Sequence, residues 1–115
     1  MAFYRASIGG GGGGGQTATG TFTTNTTATT GYKVTLGFKP KQLCLIRDTT
    51  STANNMLYNE DIDTTKYSKG TGSANLWRPF ETQSPYSIKS IDNDGFTVYT
   101  ASGYQTLTWR YFALG

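Results

Sequence analysis

The feature that most constrains this chain is the spacing of its apolar residues, which repeat with a period of two in short runs and never with the 3.6-residue period of a helix. Tyr32, Val34 and Leu36 alternate with Lys33 and Thr35, which puts three apolar side chains on one face of a strand. Leu107, Trp109, Tyr111 and Ala113 alternate in the same way along a long final strand that stops at Gly115. Gln42 to Arg47 is the densest apolar run, and its composition predicts a central strand buried on both faces. Ser87 to Ile91 and Phe96 to Thr100 flank Asp92-Asn93-Asp94-Gly95, where Asp-Gly is expected to supply the positive φ of a tight hairpin. Leu76 to Phe80 and Ser84 to Ile88 are interrupted by Pro79 and Pro85, as strands at sheet edges are. Met56-Leu57-Tyr58 is a further short strand. Asp48 to Asn55 and Asn59 to Gly72 read as loops. Short strands with regularly spaced turn signals predict an all-β fold, a small antiparallel β-sandwich of jelly-roll type.

The first thirty residues differ from the rest. Phe3, Tyr4 and Ile8 precede seven successive glycines, Gly9, Gly10, Gly11, Gly12, Gly13, Gly14 and Gly15. This start has too few side chains to fold alone, and it reads as a short anchor that docks on copies of the chain or on another protein. The glycines would span about 15 Å as a free coil. Gln16 to Thr30 is rich in Thr and lacks charge, which suits one or two extended strands. The expected division is therefore 1–30 as an N-terminal extended segment and 31–115 as the sandwich domain.

Composition narrows the chemistry. Leu, Ile, Val and Phe together make 20 of 115 residues, so the aliphatic core is lean and support from neighbouring subunits is expected. Two Trp, eight Tyr and six Phe with only 15% charged residues still permit collapse. The chain has no histidine and one cysteine, Cys44, which removes the usual general base, the commonest metal ligand and any intrachain disulfide. Cys44 lies in an apolar run and reads as a small buried hydrophobe. No stretch reaches the length of a membrane span, and the start lacks a secretion signal, so no membrane insertion is expected. The sequence pI is about 9.1, but the basic residues are scattered singly and form no patch for nucleic acid.

Asn59-Glu60-Asp61-Ile62-Asp63 is the one acidic cluster, and it reads as a solvated loop. Asp92 to Gly95 opens like a calcium loop but lacks the required glycine and glutamate further on, so the hairpin is the better reading. No pair of acids is placed for glycoside cleavage, and the glycine tract is followed by no Lys-Ser/Thr. Catalysis, a metal and a cofactor are not expected. Tyr58, Tyr67, Trp77, Phe80 and Tyr86 fall in or beside loops. Of these Tyr58, Tyr67, Trp77 and Tyr86 are candidate receptor contacts, with burial favoured for Trp77 and Phe80 and exposure for Tyr67.

Gly37-Phe38-Lys39-Pro40-Lys41, the Leu43 to Ile46 strand, Asp94-Gly95-Phe96-Thr97-Val98 and the terminal Trp109-Arg110-Tyr111-Phe112-Ala113-Leu114-Gly115 resemble small bacteriophage virion proteins, above all the C-terminal β-sandwich domains of tail-fibre and tail-tip proteins. The likeness covers roughly Gly31 to Gly115, and the start from Met1 to Gly15 looks like the N-termini of small phage structural proteins. The sequence lacks the shaft of long fibres. The resemblance implies a virion component, assembled in the host cytoplasm and homotrimeric, whose N-terminal segment docks on other virion proteins. On this reading the protein binds a host receptor or surface glycan through its loops, or else decorates the capsid or head with a mechanical role.

Overall fold

The alternation along the final strand sets the architecture, because a strand with Trp109 and Ala113 on one face needs a second layer over that face. The computed structural model describes residues 15–25, 30–49, 54–71, 74–104 and 106–115. Among these residues are nine strands and no helix: β1 (Thr17–Thr23), β2 (Tyr32–Thr35), β3 (Gln42–Arg47), β4 (Asn54–Asn59), β5 (Lys66–Thr71), β6 (Ala74–Pro79), β7 (Tyr86–Asp92), β8 (Gly95–Thr100) and β9 (Thr108–Leu114). They form a six-stranded sheet in the order β1-β9-β3-β4-β5-β6 and a three-stranded sheet in the order β2-β8-β7. All neighbours are antiparallel. The chain is thus a small β-sandwich.

Each sheet turns one set of alternate residues inward. Phe22, Leu43, Leu45, Met56, Tyr58, Tyr67, Trp109 and Ala113 of the larger sheet meet Tyr86, Ile88, Phe96 and Val98 of the smaller one. Aromatic rings supply the volume that the scarce aliphatic residues do not. Tyr86 packs edge-on to Trp109 at 4.9 Å between centroids, and Phe22 touches both Tyr32 and Phe96 at 5.7 Å. Such ring pairs contribute about 0.5–1.5 kcal/mol beyond area burial. Here they join the two sheets.

The Thr-rich stretch enters the sandwich directly. β1 pairs with β9 over its whole length, from Thr17 opposite Leu114 to Thr23 opposite Thr108. Buried Thr24 continues the ladder, its N–H donating to Leu107 O at 2.9 Å and its hydroxyl accepting from Leu107 N at 3.0 Å. The edge strand β1 therefore lies upstream of residue 31, within the segment that composition assigned to the N-terminal extension.

Three local expectations change. β3 is central in its sheet but buried on one face only: Leu43 and Leu45 point inward, while Ile46 is exposed and Cys44 half-buried on the outer face. No further layer of described residues covers that face, so aliphatic density alone overstated its burial. Lys66–Thr71, read as loop, is strand β5, in which Lys66 is exposed while Tyr67 and Lys69 are buried. The Asn93-Asp94 hairpin stands where expected, with Asp92 opposite Gly95. Gly95, however, does not have a positive φ; among the described residues Gly31, Gly37 and Gly103 do. Gly95 is needed for another reason: a Cβ there would lie 1.9 Å from Val34 O on the paired strand β2. Both proline segments are edge strands as read, and the Ser84–Pro85 peptide is cis.

Candidate functional site

Strand register brings a row of residues together on the outer face of the larger sheet. Phe112 pairs with Cys44, Cys44 with Leu57, Leu57 with Ser68 and Ser68 with Trp77, so one line crosses five strands from β9 to β6. Side chains at matched register share a face, which makes the line a continuous surface. Trp77 is 54% exposed and Leu57 42%. Ile62, in the β4–β5 loop, is 65% exposed and forms one wall of a groove over this row. The groove holds about 310 Å³ and is lined further by Gln42 and Asn59.

A second row runs beside the first, in which Arg110 pairs with Ile46, Ile46 with Asn55, Asn55 with Gly70 and Gly70 with Asn75. Gly70 has no side chain because the Asn75 and Asn55 amides lean over it. A Cβ there would sit 2.5 Å from Asn75 Oδ1 and 2.8 Å from Asn55 Oδ1. Asn55 Oδ1 is buried without a hydrogen-bond partner among the described residues.

Four of the seven acids are ion-paired: Asp92 and Asp94 with Lys33 at 2.9 and 2.6 Å, Glu81 with Arg78 at 3.1 Å, and Asp48 with Arg110 at 3.5 Å. The other three, Glu60, Asp61 and Asp63, share the β4–β5 loop on either side of Ile62. Asn59 Oδ1 accepts from Asp61 N at 2.9 Å, and Asp63 Oδ1 accepts from Thr65 N and Oγ1. The Thr65 bonds hold the Asp63 carboxyl below the usual carboxylate range. The acidic cluster is thus a solvated loop built by its own turns, as read, and it sits at the rim of the groove. Among the described residues no group of three or more Cys, Asp and Glu side chains is placed to hold a metal ion.

Of the aromatic residues proposed to touch a receptor, one is on the surface. Tyr58, Tyr67 and Tyr86 are buried in the core, and Tyr67, expected to be the most exposed, is wholly covered. Each sits at an inward position of a strand, where its ring fills space between the sheets; Phe80 lies partly buried against Tyr58 and Tyr67. Trp77 goes the other way, outward from edge strand β6. Burial pushes the Tyr67 hydroxyl up to about 12 and raises the Cys44 thiol above its ordinary value, so Cys44 is protonated on the groove floor at neutral pH. Phe3, Tyr4, Ile8 and Gly9 to Gly14 lie outside the described residues, and Gly15 is exposed.

Leu57, Phe112 and Ile62 carry no mark in the sequence that sets them apart as surface residues. The signal that finds them is the pairing register, which sequence alone does not give. No protein-family model, curated protein or solved structure matches the chain.

Proposed function

We propose that this protein is a non-catalytic structural module of a bacteriophage particle, and that its working surface is the outer face of the six-stranded sheet, which seats on protein. One observation carries the reading: the Phe112–Cys44–Leu57–Ser68–Trp77 row, with Ile62 above it, is a strip apolar at every position but Ser68, on a sheet face that no described residue covers. Patches of this kind, with an exposed Trp and a polar rim, mark protein contact sites. Among the described residues that line the groove none carries a charge, as expected where charge is depleted at the middle of an interface. The virion setting comes from the sequence resemblance. Leu57→Lys tests the reading: an exposed lysine leaves the fold intact, and incorporation into assembled particles should fall at least about tenfold. Normal incorporation of the folded variant refutes it.

A second reading, recognition of a host surface glycan, draws on Trp77 lying beside Ser68 and one row from the Asn55 and Asn75 amides, an exposed ring flanked by hydrogen-bonding groups. It predicts that Trp77→Ala abolishes binding to susceptible cells while assembly is retained.

A further inference from the structure

We infer that strand β6, an edge of the six-stranded sheet, pairs with β6 of a second copy of this chain, antiparallel and centred on Leu76, so that the two sheets join edge to edge. The inference concerns the edge of that sheet and stands apart from what seats on its face.

β6 is last in the sheet order and pairs through one side, with β5. Its other side carries backbone N–H and C=O groups open to a further strand. Of its six residues five are exposed and Arg78 is half-buried. Leu76 lies opposite the buried Lys69, on the inner face of the sheet, and is nevertheless 57% exposed. Trp77 lies opposite Ser68, on the outer face, and is 54% exposed. Consecutive large apolar residues thus stand open on both faces of one edge.

Among the described strands, the other three edges are guarded. β7 has an irregularity between Ile88 and Ser90, with Lys89 at it. β2 is four residues long and includes the exposed Lys33. β1 is mostly Thr and carries no exposed large apolar side chain. Short length, bulges and lysines are what keep an edge from pairing. β6 has no lysine and no register shift against β5, and its one charge, Arg78, is held by Glu81 at 3.1 Å.

A second copy fits this edge in one register. Pro79 pairs with Lys66 but has no N–H to donate, so it occupies a non-hydrogen-bonded position and its backbone faces away from β5. Asn75 and Trp77 share its parity and turn their N–H and C=O groups the same way. Paired residues of antiparallel strands share a face, so a two-fold axis must pass through a residue and not between two. Centred on Trp77, the ladder sets Asn75 against Pro79 and loses bonds to the missing N–H. Centred on Asn75, it carries Trp77 past the end of the partner strand. Centred on Leu76, it joins Asn75 and Trp77 of each copy by reciprocal backbone bonds, sets Leu76 against Leu76 of the second copy, and leaves Pro79 outside. The two Arg78 side chains then start about 14 Å apart, beyond the screening length of about 8 Å at physiological salt, so charge does not oppose the pairing.

Cysteine cross-linking in the full chain reads the register. In a Cys44→Ala background, Leu76→Cys brings two Cα atoms to about 4.5 Å across the axis, within disulfide reach, whereas Ala74→Cys leaves them about 14 Å apart. Mild oxidation should link position 76 at least about tenfold faster than position 74. Sedimentation of the unaltered chain should show a monomer–dimer equilibrium, a weak one because a single edge buries less than about 1,200 Å² in all. Leu76→Lys sets like charges opposite each other and should weaken dimerisation at least about tenfold, with the thermal midpoint of the exposed-site variant unchanged. Leu57→Lys, on the face, should leave dimerisation as it is. Equal linking at positions 74 and 76, a chain still monomeric at millimolar concentration, or a three-fold assembly would overturn the inference. Dimerisation lost in Leu57→Lys would assign the contact to the face and also overturn it.

Discussion

Replacing Gly95 by alanine separates two accounts of why that glycine is there. On the hairpin account the residue serves a positive φ, and asparagine, which tolerates that region, should substitute with modest loss. The structure gives a different cause: the added methyl carbon would lie 1.9 Å from Val34 O, 3.0 Å from Val34 C and 3.2 Å from Leu36 N, all backbone atoms of the β2 segment. To reach ordinary contact β2 must move away by more than an ångström. That motion breaks the bonds from Leu36 N and Gly37 N to Asp94 O, now 2.7 and 3.0 Å. Overpacking costs about 1–3 kcal/mol and each lost hydrogen bond about 0.5–1.5 kcal/mol, giving about 2–6 kcal/mol for Gly95→Ala. For a domain of this size the midpoint of thermal unfolding should fall by at least about 8 °C. Thermal unfolding followed by near-ultraviolet dichroism of the buried Trp109 reads the loss. Gly103, with φ 91° and nothing within 4 Å of the place a Cβ would take, is the control; Gly103→Asn should be nearly neutral and Gly95→Asn at least as damaging as Gly95→Ala. Equal effects at the two sites would refute the argument from close approach.

Tyr67 titrates near 12 in the fold because burial disfavours its phenolate, against about 10 when unfolded. Stability is therefore full below pH 10 and declines between pH 10 and 12, by about 2–3 kcal/mol; urea titrations across that range should show the decline, and Tyr67→Phe should lose it. Lys69 behaves oppositely. Its Nζ is buried, donates to Tyr86 O at 2.5 Å and lies 4.6 Å from the centre of the Tyr86 ring, and burial lowers its pKa below 10.5. The unfolded chain then holds that proton to higher pH, so stability rises with pH from the folded pKa to 10.5, and Lys69→Met should remove the rise. Asp92 is pushed up by desolvation, but hydrogen bonds from Ser90, Lys33 and Thr97 outweigh this and hold its pKa below 3.8. Asp92→Ala should lower stability at pH 7 and leave it nearly unchanged below the folded pKa, as measured by urea unfolding at both pH values.

The sheet class was legible because strand periodicity is local: the Tyr32–Leu36 and Leu107–Ala113 alternations and the Asn93-Asp94 turn each sit within a few residues. β5 escaped notice because Lys66-Tyr67-Ser68-Lys69-Gly70 has a single large apolar residue, and its strand character comes from pairing with β4 and β6 rather than from composition. The aromatic residues divide for the same reason. Tyr67 and Tyr86 look like surface residues beside lysine, glycine and proline, yet inward parity in the sheet buries them. Trp77 looks like a core residue, and outward parity on an edge strand exposes it. The candidate site joins residues as distant as Cys44 and Phe112, and only cross-strand register brings them side by side.

The central claim is that the outer face of the larger sheet is covered by protein when the chain is at work. A photo-reactive benzoylphenylalanine placed at position 77 measures this in the assembled state, with the same probe at Asn93, on the hairpin of the smaller sheet, as the comparison. The account predicts a covalent adduct to polypeptide from position 77 and little from position 93. Adducts from position 93 with none from position 77 would contradict it.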